Sequence, residues 1–315
     1  MTNTSEITQT GQNKKLQSAK VVSKSFNFAD FKNAIVYPLK FKMGLIIGAT
    51  VILLLSFGQS GSVLAISIYS TAVICFMLAT VLKFGCLTNT VENFSQAKTK
   101  PGFMSDFDKF SIWEDVVHPF FLSLAVYLVS FGLLAALLVG AVWQASEATN
   151  KIEADKQKIL SVVLPGAQNT PNFASQNDDF YQTAETVMRL SLDYSVPIFL
   201  ALLWGIFYFP AACVVAGYRR SFIEIFNPLV GFNVIRRLGT DYLKIVLIFL
   251  ILVVSAAGLN AILQTILSPL NSLMPGNLPA KVAAGIFVFY GSIVFSVTLG
   301  FVLFKSSVRR NFRRI

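Results

Sequence analysis

The sequence predicts an all-α fold: a polytopic membrane helical bundle with six transmembrane helices as three hairpins, cytoplasmic amphipathic helices and an outer helical insertion. Hydrophobic residues make up 54% of the chain and charged residues 13%, whereas soluble domains have about 25% charged residues. Residues 195–217 and 245–266 form two runs without a charged side chain. At about 1.5 Å per residue, each run is long enough to cross a hydrocarbon layer of about 30 Å.

The basic residues predict the orientation of these spans. Of the 26 Lys and Arg residues, 21 lie in the two terminal segments and in the connections after the second and fourth apolar runs. Lys and Arg are enriched on the cytoplasmic side of membrane helices. We therefore expect a multi-pass protein of the bacterial inner (cytoplasmic) membrane with N- and C-termini cytoplasmic. This orientation also explains the net charge of +10, so no nucleic-acid partner is expected.

The chain divides into five predicted segments. Residues 1–24 are polar, which predicts a disordered cytoplasmic tail. Two halves of the membrane bundle flank an extracytoplasmic helical insertion at 145–193, and a basic cytoplasmic tail follows at 305–315. The first half, 25–144, contains predicted spans at 43–58, 62–82 and 119–143, and the second half, 194–304, contains predicted spans at 195–217, 245–266 and 282–304.

Amphipathic helices are predicted at the cytoplasmic face before each hairpin. In the first, within 25–42, Asn27 is a good N-cap and Asp30 lies near the positive end of the helix. The alternative is that this segment extends the first span. The second helix precedes span three, where Ser111 and Glu114 are spaced as a capping box.

The third amphipathic helix, 228–238, has clear boundary signals. Asn227 is a favourable N-cap, Pro228 occupies the first helical position, and Gly239 closes the helix.

A repeated pattern supports three hairpins of the same orientation. The exits from spans two and four share the pattern Gly-x5-[Val/Ile]-Glu-x-Phe, at residues 85–94 and 217–226. Repeats of one orientation differ from the inverted repeats of many secondary transporters.

The outer insertion is expected to form two helices that continue spans three and four outward and pair with each other. Residues 145–193 carry seven acidic and four basic side chains, with too few large apolar residues for a core of their own. We interpret this segment as a docking surface for a protein partner in a membrane complex, with Phe180 and Val187 along one face.

Polar and proline residues within the spans are the candidates for a substrate path. Asn260 and Gln264 are spaced i, i+4 near the outer end of span five, where they either line a path or hydrogen-bond a neighbouring helix. Pro210 in span four marks either a broken helix or a kink packed by small neighbours. We favour the packing interpretation in both cases.

Candidate interface residues lie at the predicted cytoplasmic face. His118, the one histidine, follows two acidic residues at the entrance of span three, so a metal or proton-relay site is the functional alternative to a cap or interface role. The connection between spans four and five carries Arg219, Arg220, Arg236 and Arg237, which are suited to lipid headgroups or a partner.

No sequence motif indicates a catalytic, cofactor or metal site. The three cysteines lack C-x-x-C spacing, and no Walker loop, G-x-S-x-G or H-E-x-x-H motif occurs. The predicted spans contain no charge apart from Lys281 at the edge of span six, which disfavours an ion-coupled pump. We therefore expect the protein not to be an enzyme.

Three of these features together resemble a known class of proteins. They are the Pro-Gly loop with its Asp-rich aromatic stretch at 100–115, the Asn227-Pro228 pair after a membrane helix, and the repeated hairpins. The chain is similar in these respects to uncharacterised bacterial multi-pass inner-membrane proteins built of repeated helical hairpins, over residues 26–315 without 145–193. The resemblance implies a helical bundle and carries over no functional residue.

Three function classes follow. The first is a non-enzymatic integral membrane subunit or scaffold of a bacterial membrane assembly, which contacts the lipid bilayer and docks a partner through the outer insertion. The alternative is a transporter or channel for an apolar or lipidic solute, which a polar-lined cavity containing Asn260, Gln264 and the Pro210 region would support. The third is a membrane enzyme acting on lipids, for which His118 is the best candidate residue.

Overall fold

A computed structural model of the chain describes residues 25–60, 69–95, 102–103, 111–163, 173–269 and 277–310. Within these ranges the chain is helical and contains no strand, which confirms the predicted all-α membrane bundle. The helices are α1 (Phe28–Lys40), α2 (Lys42–Ser60), α3 (Tyr69–Ser95), α4 (His118–Val163), α5 (Phe173–Arg219), α6 (Phe222–Phe226), α7 (Pro228–Leu238), α8 (Thr240–Ile266) and α9 (Leu278–Arg310).

Six of the described helices are long and apolar enough to cross a membrane, so this is a multi-pass membrane protein. The shortest apolar segment has 18 residues and reaches about 27 Å along its axis. The arrangement of the six helices as three like-oriented hairpins stays a prediction. The apolar segments are Lys42–Gln59, Thr71–Phe94, Trp113–Glu147, Leu192–Arg219, Thr240–Ile266 and Leu278–Ser306.

The second membrane helix is longer than its apolar run. Helix α3 continues without a break past residue 82, where the predicted span ends, to Ser95. The hydroxyls of Thr88 and Thr90 donate to carbonyl oxygens one turn earlier, at 3.1 and 2.6 Å, so these polar side chains are accommodated within the helix. Lys83 therefore lies inside the apolar segment Thr71–Phe94. This segment ends 12 residues later than the predicted span 62–82, so it includes Lys83, which the prediction places just after the span.

The chain divides into two compact units. The first comprises Met1–Val126 together with Tyr208–Ile315, and the second is Tyr127–Phe207. The second unit consists of parts of α4 and α5, where the Trp204 indole N–H donates to the Val129 carbonyl at 3.4 Å.

Helices α4 and α5 both extend beyond their apolar segments. Helix α4 continues from Glu147 to Val163, and α5 begins at Phe173, well before its apolar segment starts at Leu192. The insertion is therefore built on helices continuous with spans three and four, as the sequence predicts. The pairing of their outer ends stays a prediction.

Helix α9 is the centre of the first unit. It packs against α1, α2, α3 and α8, and its residues Phe289 and Ile293 are fully buried. A small residue brings α9 close to α3, because a Cβ at Gly300 would lie 2.7 Å from the Cβ of Phe94. Helix α8, in contrast, is exposed along much of its length, with Val254 67% exposed. We interpret this surface of α8 as lipid-facing.

Helix α1 is the amphipathic helix predicted before the first span. The backbone N–H of Asn27 donates to the Asp30 carboxylate at 2.7 Å, as in a capping box. Tyr37 is buried in the core cluster that includes α9, and Lys305 near the end of α9 pairs with Asp30 at 2.6 Å. Phe41 lies outside both helices and separates α1 from α2, so the segment is not an extension of the first span.

Helix α7 confirms the third predicted amphipathic helix and its boundaries. The side chain of Asn227 accepts a hydrogen bond from the Leu229 N–H at 3.0 Å, and Pro228 is the first helical residue. Gly239 follows the helix with a φ of +58°, a backbone conformation that glycine adopts without steric strain.

The aromatic helix predicted before span three falls partly on residues 104–110, which lie outside the described residues. Trp113–Val117 forms a π-helical turn that leads into α4. The Ser111 backbone N–H donates to the carboxylate of Asp115 at 2.8 Å, so the predicted acidic partner, Glu114, is wrong. A π-helical turn is wider than an α-helical turn. This explains why the hydrogen bond from Ser111 goes to Asp115, four residues later, and not to Glu114.

Candidate functional site: a cavity among four membrane helices

A cavity of about 530 Å³ lies in the first unit, among the membrane helices α2, α3, α8 and α9. This volume falls within the range of about 300–1,000 Å³ that is typical of small-molecule sites. The polar lining residues are Ser56, Gln59, Lys83, Asn260 and Lys281, and the apolar ones are Ile52, Phe76, Ala79, Ala256, Ala257, Ala284, Gly285 and Val288.

Small side chains leave this space open. On α8 and α9, Ala256, Ala257, Ala284 and Gly285 all line the cavity. A Cβ at Gly285 would lie 3.2 Å from a methyl carbon of the α2 residue Ile52, so α2 and α9 approach closely at this point. A larger side chain at an alanine position would occupy cavity volume.

Lys83 is the least expected member of the lining. It lies 12 residues after Thr71, which is about 18 Å along α3 from the start of the apolar segment. A charged residue within a membrane helix is costly, with a maximum of about 2.5–3.5 kcal/mol at the helix centre on insertion scales. No ion pair joins Lys83 to another residue in the described part of the chain. An unpaired charge within a membrane helix makes Lys83 a candidate functional residue.

Other lysines in the same unit do have carboxylate partners. The Lys244 ammonium lies 2.9 Å from the Asp241 carboxylate, and Lys305 lies 2.6 Å from Asp30. The cavity lining, in contrast, contains two lysines and no Asp or Glu among the described residues. The cavity is therefore electropositive.

The neutral polar residues of the cavity are held by short-range hydrogen bonds. The Ser56 hydroxyl donates to the Ile52 carbonyl at 2.7 Å. The Gln264 side-chain amide donates to the Asn260 side-chain oxygen at 3.3 Å. Asn260 is therefore oriented by a residue one turn further along α8.

The structure separates the three residues predicted as a polar path. Asn260 lines the cavity, whereas Gln264 contacts it only through Asn260, on the same helix. Pro210 is buried in α5, which runs through it unbroken, beside the buried Ala211 and Ala212. Pro210 thus lies in packed helix rather than at the cavity.

His118 and Arg220 lie together where α3, α4 and α5 meet. The His118 Nε2 lies 3.0 Å from the Arg220 carbonyl oxygen, and because a carbonyl only accepts, Nε2 is the donor. The Arg220 guanidinium lies 3.1 Å from the Glu92 carboxylate. These contacts fasten the ends of three membrane helices to one another.

The other predicted interface arginines lie around α6 and α7. Arg219 pairs with Glu224 at 3.3 Å, and Glu92 and Glu224, which occupy the same position of the repeated sequence pattern, thus pair with adjacent arginines. Arg236 is exposed in the last turn of α7, where Arg237 borders a small cavity of about 80 Å³.

The two candidates in the outer insertion, Phe180 and Val187, belong to α5. Their side-chain surroundings lie outside the described part of the structure.

Sequence reasoning missed Lys83, Ser56 and Gln59 as members of one site. The available signal for Lys83 is the apolar character of the chain around it, since an 18-residue window within Thr71–Phe94 has a mean hydropathy of 1.9. Ser56 and Gln59 carry no such signal, because polar residues are common near the ends of membrane helices.

Among the described residues no group of three His, Cys, Asp or Glu side chains is arranged to hold a metal ion. Comparison of the chain with protein-family models, curated proteins and solved structures finds no match.

Proposed function

We propose that this protein binds a lipidic solute in the cavity among α2, α3, α8 and α9 and carries it across the membrane. The observation that carries this proposal is a cavity of about 530 Å³ that presents polar side chains within apolar helices. This is the alternative of the sequence analysis, and it now takes precedence over the scaffold interpretation. It is non-enzymatic, since it requires no covalent step.

An amphiphile matches both parts of the lining. Its acyl chain can lie along apolar residues such as Phe76 and Val288, while its headgroup meets Ser56, Gln59 and Asn260. Polar side chains at membrane depth are costly unless they face a cavity or one another. The lining also includes the cationic Lys83 and Lys281, so a solute with a polar headgroup is favoured.

The proposed location is the bacterial inner membrane, with both termini in the cytoplasm. The end of the first unit that carries α6 and α7 is rich in arginine, including Arg219, Arg220, Arg236 and Arg237. This distribution supports the orientation because Lys and Arg are retained on the cytoplasmic side.

Transfer of labelled lipid between the leaflets of proteoliposomes tests the proposal. Ala256→Leu places a large side chain at the cavity, whereas Ala261→Leu makes the same change at an exposed position of α8 that is not part of the lining. We expect Ala256→Leu to reduce transfer and Ala261→Leu to leave it unchanged. Equal transfer by both variants, or no transfer by the wild type for any lipid class, contradicts the proposal.

The second candidate function, a scaffold that docks a partner through residues 145–193, is supported by the length of α4 and α5. Both helices continue past their apolar segments, so they are long enough to present a surface beyond the membrane. Deletion of residues 148–190 should then abolish co-purification of a stoichiometric partner without preventing membrane insertion. Unchanged co-purification contradicts this function.

A further inference from the structure

We propose that the cavity selects lipids with an anionic headgroup, phosphate or carboxylate, and that Lys83 supplies the opposing charge. This inference rests on the proposed function, because it specifies the solute of the same cavity. It adds a chemical class, an acidic amphiphile, and a specificity-determining residue.

The charge distribution of the lining is the first argument. Two of its residues, Lys83 and Lys281, are cationic, and none of the described lining residues is acidic. An anionic ligand is therefore attracted to the cavity, and a cationic one is repelled. Low-dielectric surroundings strengthen both effects relative to water.

The second argument is the contrast between Lys83 and other lysines of the first unit. Lys244 and Lys305 are paired with carboxylates of the chain itself. Lys83 lies deeper in its membrane helix, where an uncompensated charge is more costly, yet it pairs with no other residue in the described ranges. A ligand anion provides the compensation that the fold does not.

The placement of the two lysines along their helices suggests separate roles. Lys281 is exposed in the first turn of α9, where its backbone N–H donates to the Asn277 carbonyl at 3.1 Å. Lys83 lies 12 residues inside its apolar segment. Lys281 thus attracts the headgroup at the mouth of the cavity, and Lys83 binds it at depth. The side-chain amide of Asn260 provides a further hydrogen-bond donor.

The test measures lipid binding to the full-length purified protein by native mass spectrometry. The probes are phosphatidic acid and phosphatidylcholine with identical acyl chains, a free fatty acid, and inorganic phosphate as competitor. The variants are Lys83→Gln, Lys83→Arg and Ala256→Leu. Lys40→Gln, at an exposed lysine outside the cavity, is the matched control.

We expect the wild type to prefer phosphatidic acid to phosphatidylcholine. Lys83→Gln should lower phosphatidic acid affinity by about tenfold or more, as expected for loss of a charge-assisted hydrogen bond, and lower phosphatidylcholine affinity less, so the preference for phosphatidic acid is lost. Lys83→Arg should retain the preference, and Lys40→Gln should not alter it. Lys83→Gln should also not lower thermal stability, because a neutral side chain is less costly to bury. If Lys83 had only a structural role, Lys83→Gln would lower the thermal stability.

The remaining outcomes distinguish the classes of ligand and show which of the two proposals fails. Competition by inorganic phosphate would show that the anion alone is recognised, and fatty-acid binding that is weakened in Lys83→Gln would support the carboxylate part of the proposed class. If the wild type binds both phospholipids with equal affinity and Ala256→Leu binds neither, the anion selectivity is overturned, whereas the proposed lipid binding in the cavity is retained. Binding that is insensitive to Ala256→Leu overturns both.

Discussion

The Arg220 guanidinium lies 3.1 Å from the carboxylate of Glu92, and this ion pair joins the end of α5 to the end of α3. The two residues are 128 positions apart in the sequence, and their side chains are 36% and 29% exposed. The same arginine accepts a hydrogen bond from His118 at its carbonyl oxygen. One residue thus connects three membrane helices at a single junction.

The first prediction is that the Glu92–Arg220 pair contributes measurably to stability. A double-mutant cycle with Glu92→Gln and Arg220→Gln should give a coupling free energy of about 1–2 kcal/mol, because the pair is partly shielded from water. The Glu185–Arg189 pair, at 2.8 Å but with side chains 65% and 77% exposed, is a control of the same residue types. Its coupling should be about 0.3–0.5 kcal/mol. Equal coupling energies in the two cycles would contradict this assignment.

The second prediction separates a structural from a chemical role of His118. His118→Ala removes one hydrogen bond to the Arg220 carbonyl and should lower stability by about 1 kcal/mol in reversible unfolding. Lipid binding and transfer should be unaffected, since His118 does not line the cavity. Loss of lipid transfer at unchanged stability would instead favour the enzyme or proton-relay interpretation.

The third prediction concerns the close approach of α5 and α3 at Gly217. A Cβ at this position would lie 2.6 Å from a methyl carbon of the fully buried Val91. Gly217→Ala should therefore destabilise the protein by about 1–3 kcal/mol, and Val91→Ala in the same chain should restore part of the loss. Gly258→Ala, where no atom lies within 4 Å of the new Cβ, should be neutral or slightly stabilising. Similar unfolding free energies for the two alanine variants would refute the contact.

The fourth prediction follows from the burial of Tyr37, which raises its pKa to about 12. The ordinary pKa of tyrosine is about 10. Between these values the unfolded chain loses the phenolic proton and the folded chain keeps it, so stability falls as pH rises. The fall contributed by this residue should be about 1–3 kcal/mol, and Tyr37→Phe should remove it. Superimposable alkaline unfolding curves for wild type and Tyr37→Phe would show that Tyr37 ionises normally.

The sequence was sufficient for features determined by neighbouring residues. Asn227 and Gly239 cap the two ends of α7, and both could be predicted because capping depends on side-chain chemistry and backbone conformation within one turn. The wrong acidic partner of Ser111 shows the limit of such rules, since the π-helical turn shifts the contact from Glu114 to Asp115.

The cavity could not be predicted in the same way. Its lining combines Ser56, Lys83, Asn260 and Lys281 from four helices, and periodicity within one helix does not tell which helices are neighbours. Lys83 directly follows the predicted span 62–82, so the sequence places it outside that span, although hydrogen bonding along α3 continues past it. Asn260 was recognised because a polar residue within a charge-free run is unusual whatever its tertiary contacts.

Photocrosslinking tests the occupancy of the cavity most directly. A phosphatidic acid with a photoreactive group next to the headgroup would be added to the full-length protein in nanodiscs, and the labelled residues would be mapped by mass spectrometry. The account predicts labelling concentrated on cavity residues such as Phe76 and Asn260, reduced by Ala256→Leu and unchanged by Ala261→Leu. Labelling spread over lipid-facing positions such as Val254, and unaffected by Ala256→Leu, would contradict it.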